Sequence, residues 1–344
     1  MKNKTSIKDV AKAAGVSVAS VSYVLNGKGK VSAEKREQIL NAIEDLDYRP
    51  SMIARCLSNG YSKLIGVTLP ITESGDTPGD LFGNNPFFSE FLSGVENAIY
   101  SEEYDVLISC VNSNVEYKNW IQQRKLDGII MLGTYPKSIF EEIKELAIPV
   151  VLTDVYEEYA SDFHCVRADD EWGGYMATKH LLDLGHVNIA ISTGNINASY
   201  VNYFRCQGYL RALREANIIP DRNLVFEEHV TFDGGYRVGK NLMASNCKAT
   251  AVFAVADIMA IGIIKAFFEN NKTIPGDMSI IGFDDIQFAK YTTPGLTTMR
   301  QNIIMKGKAS AEMIINDLKI RKRTQDSVVL RPELVVREST AHLK

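Results

Sequence analysis

From Leu64 onward the sequence alternates short, wholly apolar runs with amphipathic stretches, and this narrows the fold more than any other feature. The runs are LIGVTL, DVLISCV, GIIML, PVVLTDV, NIAIST, TAVFAV and SIIGF. Between most of them lie segments such as FLSGVENAIYSEEY, GGYMATKHLLDLG and DIMAIGIIKAFFEN. A strand that is apolar on both faces is buried on both faces, so these runs predict parallel sheets covered by helices on each side. About 280 residues of such alternation exceed what one sheet comfortably holds, so two α/β lobes are expected. Open parallel sheets bind ligands just beyond the carboxyl ends of their strands. Asp154, Asp257 and Asp284 follow apolar runs and are candidates on that ground.

The first sixty residues have a different texture. Ser6 and Asp9 have capping-box spacing, which leaves the serine hydroxyl to accept an early helix N–H. Ile7, Val10, Ala11 and Ala14 follow at helical spacing, and Gly15 breaks the helix. Ser17 caps a second helix over about residues 18–25, which Asn26-Gly27 stops. Ser32 caps a third, whose apolar stripe is Ile39, Leu40, Ile43 and Leu46. Two short helices joined at a glycine turn, then a packing helix, is the helix-turn-helix plan.

In the second helix Val21, Val24 and Leu25 share the anchoring face. Val18, Ala19, Ser22 and Tyr23 share the other, which is nearly without charge. A helix that enters a major groove about 12 Å wide needs small side chains for close approach. Ser17, Ser20 and Asn26 suit phosphate oxygens. Spacing alone leaves a helical protein-interaction module open beside DNA binding.

Charge sharpens the division. Residues 1–60 hold ten Lys and Arg against six Asp and Glu, a net of +4, while the whole chain is at −4. A basic head on an acidic body fits a nucleic-acid-binding module joined to something else. No apolar run of about 18 residues is present, so no membrane span is expected. The basic N-terminus has no apolar run behind it, which argues against a secretory signal and for a cytoplasmic protein. The five cysteines form no CxxC pair and read as reduced, mostly buried thiols. The histidines show no metal-ligand spacing, and neither a metal nor a cofactor is expected.

The stretch SIKDVAKAAGVSVASVSYVLNGKGKVSAEKREQILNAIEDLDYRPSMIARCLSNG resembles the N-terminal domain of the LacI/GalR family of bacterial repressors. The resemblance continues through LIGVTLP, NPFFSEFLSGVENA, DGIIML, GGYMATKHLLDLGH, AVFAVADIMAIG, IPGDMSIIGFDD and LRPELVVREST. It implies an all-α, lambda-repressor-like helix-turn-helix domain over 1–50 and a hinge helix or linker over 51–62. A two-lobe α/β domain similar to periplasmic binding proteins then fills 63–344. Lobe 1 would take about 63–169 and 300–330, lobe 2 about 170–299 and 331–344.

The resemblance also implies site residues. Leu57 matches a leucine wedged into the DNA minor groove. Arg205 matches the arginine of an RLxGF motif, Asp284 an acidic residue after a late strand, and Phe232 an aromatic over the ligand ring. Phe87 and Phe88 match first-lobe contacts, and Asp154 and Gln301 are carried over with them. Arg and Asp together suit a hydroxyl-rich ligand, one as a fork of donors, the other as an acceptor.

The functional expectation is a dimeric, sequence-specific repressor on a near-palindromic operator, controlled by a small carbohydrate. A purine or sugar phosphate is the alternative effector. The resemblance implies lobes that pair side by side, hence a homodimer, and no C-terminal heptads are seen that would suggest a tetramer. Plainer roles stand beside the site roles: core packing for Phe87 and Phe88, a surface helix position for Arg205, and helix capping for Asp257. An enzyme is the competing class, through the near phosphate loop GGYRVGKN at 234–241. Asn241, however, stands where a magnesium-binding hydroxyl is needed. A transport-type binding protein is the third reading, and the basic helical head argues against it.

Overall fold

A computed structural model of the protein describes residues 5–25, 31–48, 61–69, 82, 85–110, 117–133, 135–245 and 247–343. The chain divides into two compact units, residues 1–64 with 124–127, and residues 65–123 with 128–344.

The first unit begins with three helices, α1 (Ile7–Ala13), α2 (Val18–Leu25) and α3 (Ala33–Asp45). Gly15 turns the chain between α1 and α2 with φ +61°, a conformation that costs glycine little. Ser17 caps α2, its Oγ accepting from the Ser20 N–H at 3.1 Å. At α1 the expected capping box between Ser6 and Asp9 is in place. The Ser6 hydroxyl donates to the Asp9 carboxylate at 2.7 Å, and the Ser6 N–H donates to the same oxygen at 2.8 Å. Those bonds hold the Asp9 carboxyl below its usual range. Val10, Ala11, Val21, Ile39, Ala42 and Tyr48 form the buried core, with Val24, Leu25, Ile43 and Leu46 packed against it. Leu40, expected in the apolar stripe, is instead exposed, and Ala42 takes the inward position.

The second unit contains two six-stranded sheets. The first uses β1 (Leu64–Leu69), β2 (Asp105–Cys110), β3 (Gly128–Leu132), β4 (Val150–Thr153), β5 (His164–Ala168) and β11 (Ser327–Leu330), in the order β11-β5-β4-β3-β1-β2. The second uses β6 (Ile189–Thr193), β7 (Val225–Glu227), β8 (Ala251–Ala254), β9 (Ser279–Asp284), β10 (Thr297–Arg300) and β12 (Glu333–Val335), in the order β12-β10-β9-β8-β6-β7. Pairing is parallel from β11 through β1 and from β10 through β7, and β12 runs antiparallel on its edge. The chain passes between sheets three times, after β5, after β10 and after β11.

Helices α4 (Pro86–Ile99), α5 (Tyr117–Arg124), α6 (Lys137–Lys144) and α11 (Ile303–Ile320) accompany the strands of the first sheet. Helices α7 (Asp170–Asp183), α8 (Tyr200–Glu215), α9 (Phe232–Ala244) and α10 (Asp257–Glu269) accompany those of the second. Close crossings are made by glycine: a Cβ at Gly94 of α4 would meet the Ile304 carbonyl of α11 at 2.1 Å, and one at Gly235 of α9 would meet the Met259 carbonyl of α10 at 2.1 Å. Gly235 therefore serves helix packing inside α9, and GGYRVGKN lies wholly within that helix rather than forming a phosphate loop. β5, β7, β10, β11 and β12 had no counterpart among the apolar runs. β7, β11 and β12 are short and partly exposed, so their sequences lack a continuous apolar signal.

Among the described residues no helix is long and apolar enough to cross a membrane, and no group of His, Cys, Asp or Glu is placed to hold a metal ion.

Candidate functional site

Helix α2 presents two unlike faces. Val21 is fully buried, whereas Val18 is 41% and Tyr23 51% exposed, and Ala19 is exposed beside them. Ser22 and Ser20 are half-buried and Ser17 exposed, with the Ser17 and Ser20 hydroxyls 2.9 Å apart. Asn26 and Leu57 lie outside the described residues.

The second candidate site lies at the carboxyl ends of strands from both sheets. Asp154 follows β4, Asp284 ends β9, Gln301 follows β10, and Asp170 opens α7 immediately after β5. Asp154, Asp284 and Asn302 adopt positive φ, at 59°, 121° and 59°. Left-handed backbone costs a non-glycine residue of order 1 kcal/mol and persists where the surroundings over-determine it, as at ligand sites.

Hydrogen bonds link these groups in one continuous chain. Lys306 of α11, with no exposed surface, donates to both Asp154 oxygens at 2.8 and 2.9 Å and to Gln301 Oε1 at 2.5 Å. Gln301 Nε2 donates to Asp284 Oδ1. Arg205 Nη1 reaches the same oxygen at 3.5 Å and the Val255 carbonyl at 2.6 Å, while its Nε donates to Asp170 Oδ1 at 2.7 Å. The Tyr156 hydroxyl donates to the other Asp170 oxygen. The Arg205 guanidinium also covers the Phe283 ring at 3.7 Å, and Arg167 lies over the Tyr156 ring at 4.9 Å. The chain thus runs from the first sheet to the second without a break.

Burial dominates the electrostatics. It pushes the Asp154 carboxyl up in spite of Lys306, and the Asp284 carboxyl up to about 6 in spite of Arg205 and Gln301. Burial works against the Arg205 charge, but Asp170, Asp284 and Asp154 outweigh it and raise its affinity for its proton. Burial, with Asp170 next, raises the Tyr156 phenol, so it stays a neutral donor.

Four of the sequence candidates, Asp154, Arg205, Asp284 and Gln301, meet in this cluster. Phe87 borders it, its ring centroid 5.5 Å from the Lys306 ammonium. Phe88 packs into the core at 8% exposure and meets Phe87 edge-on. Phe232 begins α9, half-buried against the core. Arg205 is buried, so it is not a surface helix position.

Asp257 differs from its expected roles. It is the first residue of α10, and the preceding Ala256 holds the cap position, so Asp257 does not cap the helix. With no exposed surface, it accepts from the Thr298 hydroxyl at 2.5 Å and the Ile286 N–H at 3.0 Å, tying β10 to the loop after β9. A carboxylate so enclosed presents no face to a ligand. Lys306, Asp170 and Tyr156 join the cluster with no sequence signal of their own. Each becomes meaningful only beside its distant partner.

The lobes also meet at Glu90 of α4, whose carboxylate accepts from the Gln287 N–H at 2.7 Å, and at Tyr156, whose ring lies 4.6 Å from that of Phe204 in α8.

Comparison with known proteins gives this architecture relatives. Residues 6–51 match the family described as bacterial regulatory proteins, lacI family, and residues 178–340 match a periplasmic binding protein-like domain. The chain is 34% identical over 345 residues to the ribose operon repressor of Haemophilus influenzae, covering 98% of this chain and 99% of that protein. It is 33% identical over 342 residues to the HTH-type transcriptional repressor PurR of Edwardsiella ictaluri, covering 97% and 96%. A solved LacI family transcriptional regulator from Enterococcus faecium, with bound ribose, is 30% identical with a TM-score of 0.72, over 82% of this chain and 100% of that one. The lac repressor dimer bound to operator and the anti-inducer ONPF matches in fold, with a TM-score of 0.84 at 24% identity over 98% and 100% of the two chains. The chain belongs to the LacI family of bacterial regulatory proteins, and it is a DNA-binding transcriptional regulator under effector control.

Proposed function

We propose that the protein is a homodimeric repressor acting in the cytoplasm, whose affinity for a near-palindromic operator is set by a small carbohydrate bound between its two sheets. The observation that carries this reading is the meeting of Asp154, Asp284 and Gln301, at strand ends of the two sheets, with Arg205 of α8. Forked donors and carboxylate acceptors together match adjacent hydroxyls. The ribose named for one relative's operon, and bound in one solved relative, supports a pentose as the first ligand to try. Phe87 and Phe232 would cover the apolar face of such a ring.

In the head, Val18, Ala19, Ser22 and Tyr23 would face bases in the major groove, and Ser17, Ser20 and Asn26 phosphates. Leu57 would enter the minor groove. The lobe boundaries are read as following the three crossings near residues 169, 300 and 330. Ligand changes operator affinity only by the difference in its affinity for two arrangements of the lobes. Glu90–Gln287 and Tyr156–Phe204 bridge the lobes in the described arrangement and would be remade in the other.

Two measurements test this. Gel-shift titration on genomic fragments yields a sequence-selective complex that weakens steeply with salt; no selective complex at any salt overturns the DNA half. Thermal shift with ribose, other sugars and purine bases gives a saturable rise in Tm for the effector. A rise with a purine and with no sugar overturns the carbohydrate half.

A further inference from the structure

The polar cluster between the lobes is short of positive charge. Among the described residues, three carboxylates, Asp154, Asp170 and Asp284, hydrogen-bond into it, and two cations do, Arg205 and Lys306. Asp257 adds a fourth carboxylate, raised by burial and then by the nearby Asp284 charge. Both cations are already committed. Arg205 is held by Asp170 and the Val255 carbonyl. Lys306 has three N–H bonds and three acceptors in place, two on Asp154 and one on Gln301. Neither residue has more than 5% of its surface exposed. Burial raises Asp154, Asp257 and Asp284 alike.

An anionic ligand would bring another negative charge into this region. To find a cation within the hydrogen-bonded cluster it would have to draw Lys306 from Asp154 and leave that carboxylate buried and unpaired, which is strongly unfavourable, the Arg167 guanidinium lying outside that cluster over the Tyr156 ring. A hydroxyl meets no such obstacle. It can donate to Asp284 and accept from Arg205, replacing the long 3.5 Å contact between them with two ordinary hydrogen bonds.

We propose that this site takes an uncharged polyhydroxylated ligand and rejects its phosphorylated counterparts, and that Asp154 sets this preference by occupying Lys306. The proposal rests on the carbohydrate reading above, which it narrows. Asp154 here determines specificity: it decides whether the Lys306 charge is available to a ligand.

The test uses the full chain and matched probes: ribose against ribose 5-phosphate, glucose against glucose 6-phosphate, and inorganic phosphate alone, each followed by calorimetry and thermal shift near neutral pH. The expected result is that a neutral sugar binds and its phosphate binds at least about tenfold more weakly. Asp154→Asn releases Lys306 and moves that ratio toward the phosphate by about tenfold or more, a change that a merely structural role for Asp154 would not produce. A phosphorylated sugar that binds as tightly as its neutral partner overturns the proposal, as does an unmoved ratio in a folded Asp154→Asn protein. If Asp154→Asn does not fold, Asp154→Ser replaces it, and if neither folds the ratio in the unaltered protein decides alone. If no sugar of either kind binds, the carbohydrate reading falls, and inorganic phosphate judges the charge rule by itself. Stabilisation by phosphate that Arg205→Gln abolishes overturns it; absence of that stabilisation upholds it.

Discussion

The recognition helix and the inter-lobe cluster are both candidate binding surfaces, and they are built in opposite ways. Helix α2 leaves Val18 and Tyr23 in water, and its exposed face is nearly free of charge. The cluster buries Asp154, Asp170, Arg205, Asp284 and Lys306, and each of them hydrogen-bonds to another group of the protein. A partner such as DNA brings its own charge and shape, so the protein needs only a face that fits. A small ligand must be enclosed, so the groups that grip it have to be held in place beforehand by one another. Substitutions should therefore damage the cluster through stability and the helix face through binding alone.

The largest expected effect is at Arg205. Arg205→Met strands Asp170 and Asp284 as buried carboxylates without their shared cation and should cost about 3–5 kcal/mol in urea unfolding. A loss under about 1 kcal/mol would mean that those charges reach water after all. Next comes Val21→Ala, which opens a cavity in the small core of the head and should cost roughly 2 kcal/mol. The matching Val18→Ala, three positions away on the exposed face, should leave unfolding within about 0.5 kcal/mol and instead weaken operator binding. Equal stability losses at the two valines would erase the distinction between the faces.

A pH profile sharpens the comparison further. Burial lifts the Asp284 carboxyl to about 6 from an ordinary value of 3.8, so the folded chain holds that proton more tightly than the unfolded chain does. The resulting stabilisation is complete below the unfolded value and is lost as pH rises through the folded value. Asp284→Asn removes this titration, so the Tm of the variant relative to the parent should rise between about pH 4 and pH 7. A flat difference would mean that Asp284 is not held by burial.

The smallest effect on stability is expected at Tyr23. Tyr23→Arg should change unfolding by less than about 0.5 kcal/mol and leave sugar binding intact. It should alter the preferred base in a randomised-site selection, because a bidentate guanine donor replaces a single hydroxyl. An unchanged preference would assign Tyr23 to packing.

The same contrast explains what could be read from the sequence. The head was legible because its signals are local: Ser17 caps three residues ahead of its bond, and Gly15 turns within three residues of both helices. The seven apolar runs each lie on a strand, since burial on both faces leaves its mark residue by residue. β11 and β12 left no such mark because half of their surface is open. In the cluster, the strand-end rule and the family resemblance reached Asp154 and Asp284, and the resemblance alone reached Arg205 and Gln301. Lys306 escaped both. A lysine in a helix reads as a solvent residue, and only the fold brings it to Asp154, 152 positions earlier. Asp257 misled for the related reason that an acid at a helix start looks like a cap until its hydroxyl partner, Thr298, arrives from 41 positions later.

The three passages between the sheets carry a consequence for the order of synthesis. The first sheet cannot be completed until β11 at Ser327–Leu330 emerges, by which point every strand of the second sheet except β12 has been made. The lobes are nested in time, and the charged cluster closes only when Lys306 arrives to meet Asp154. The helical core of the head, whose buried residues run from Val10 to Tyr48, needs none of this. A ribosome therefore releases the DNA-binding head long before the part that places it under effector control. Any premature stop between the two would leave a reader without its control.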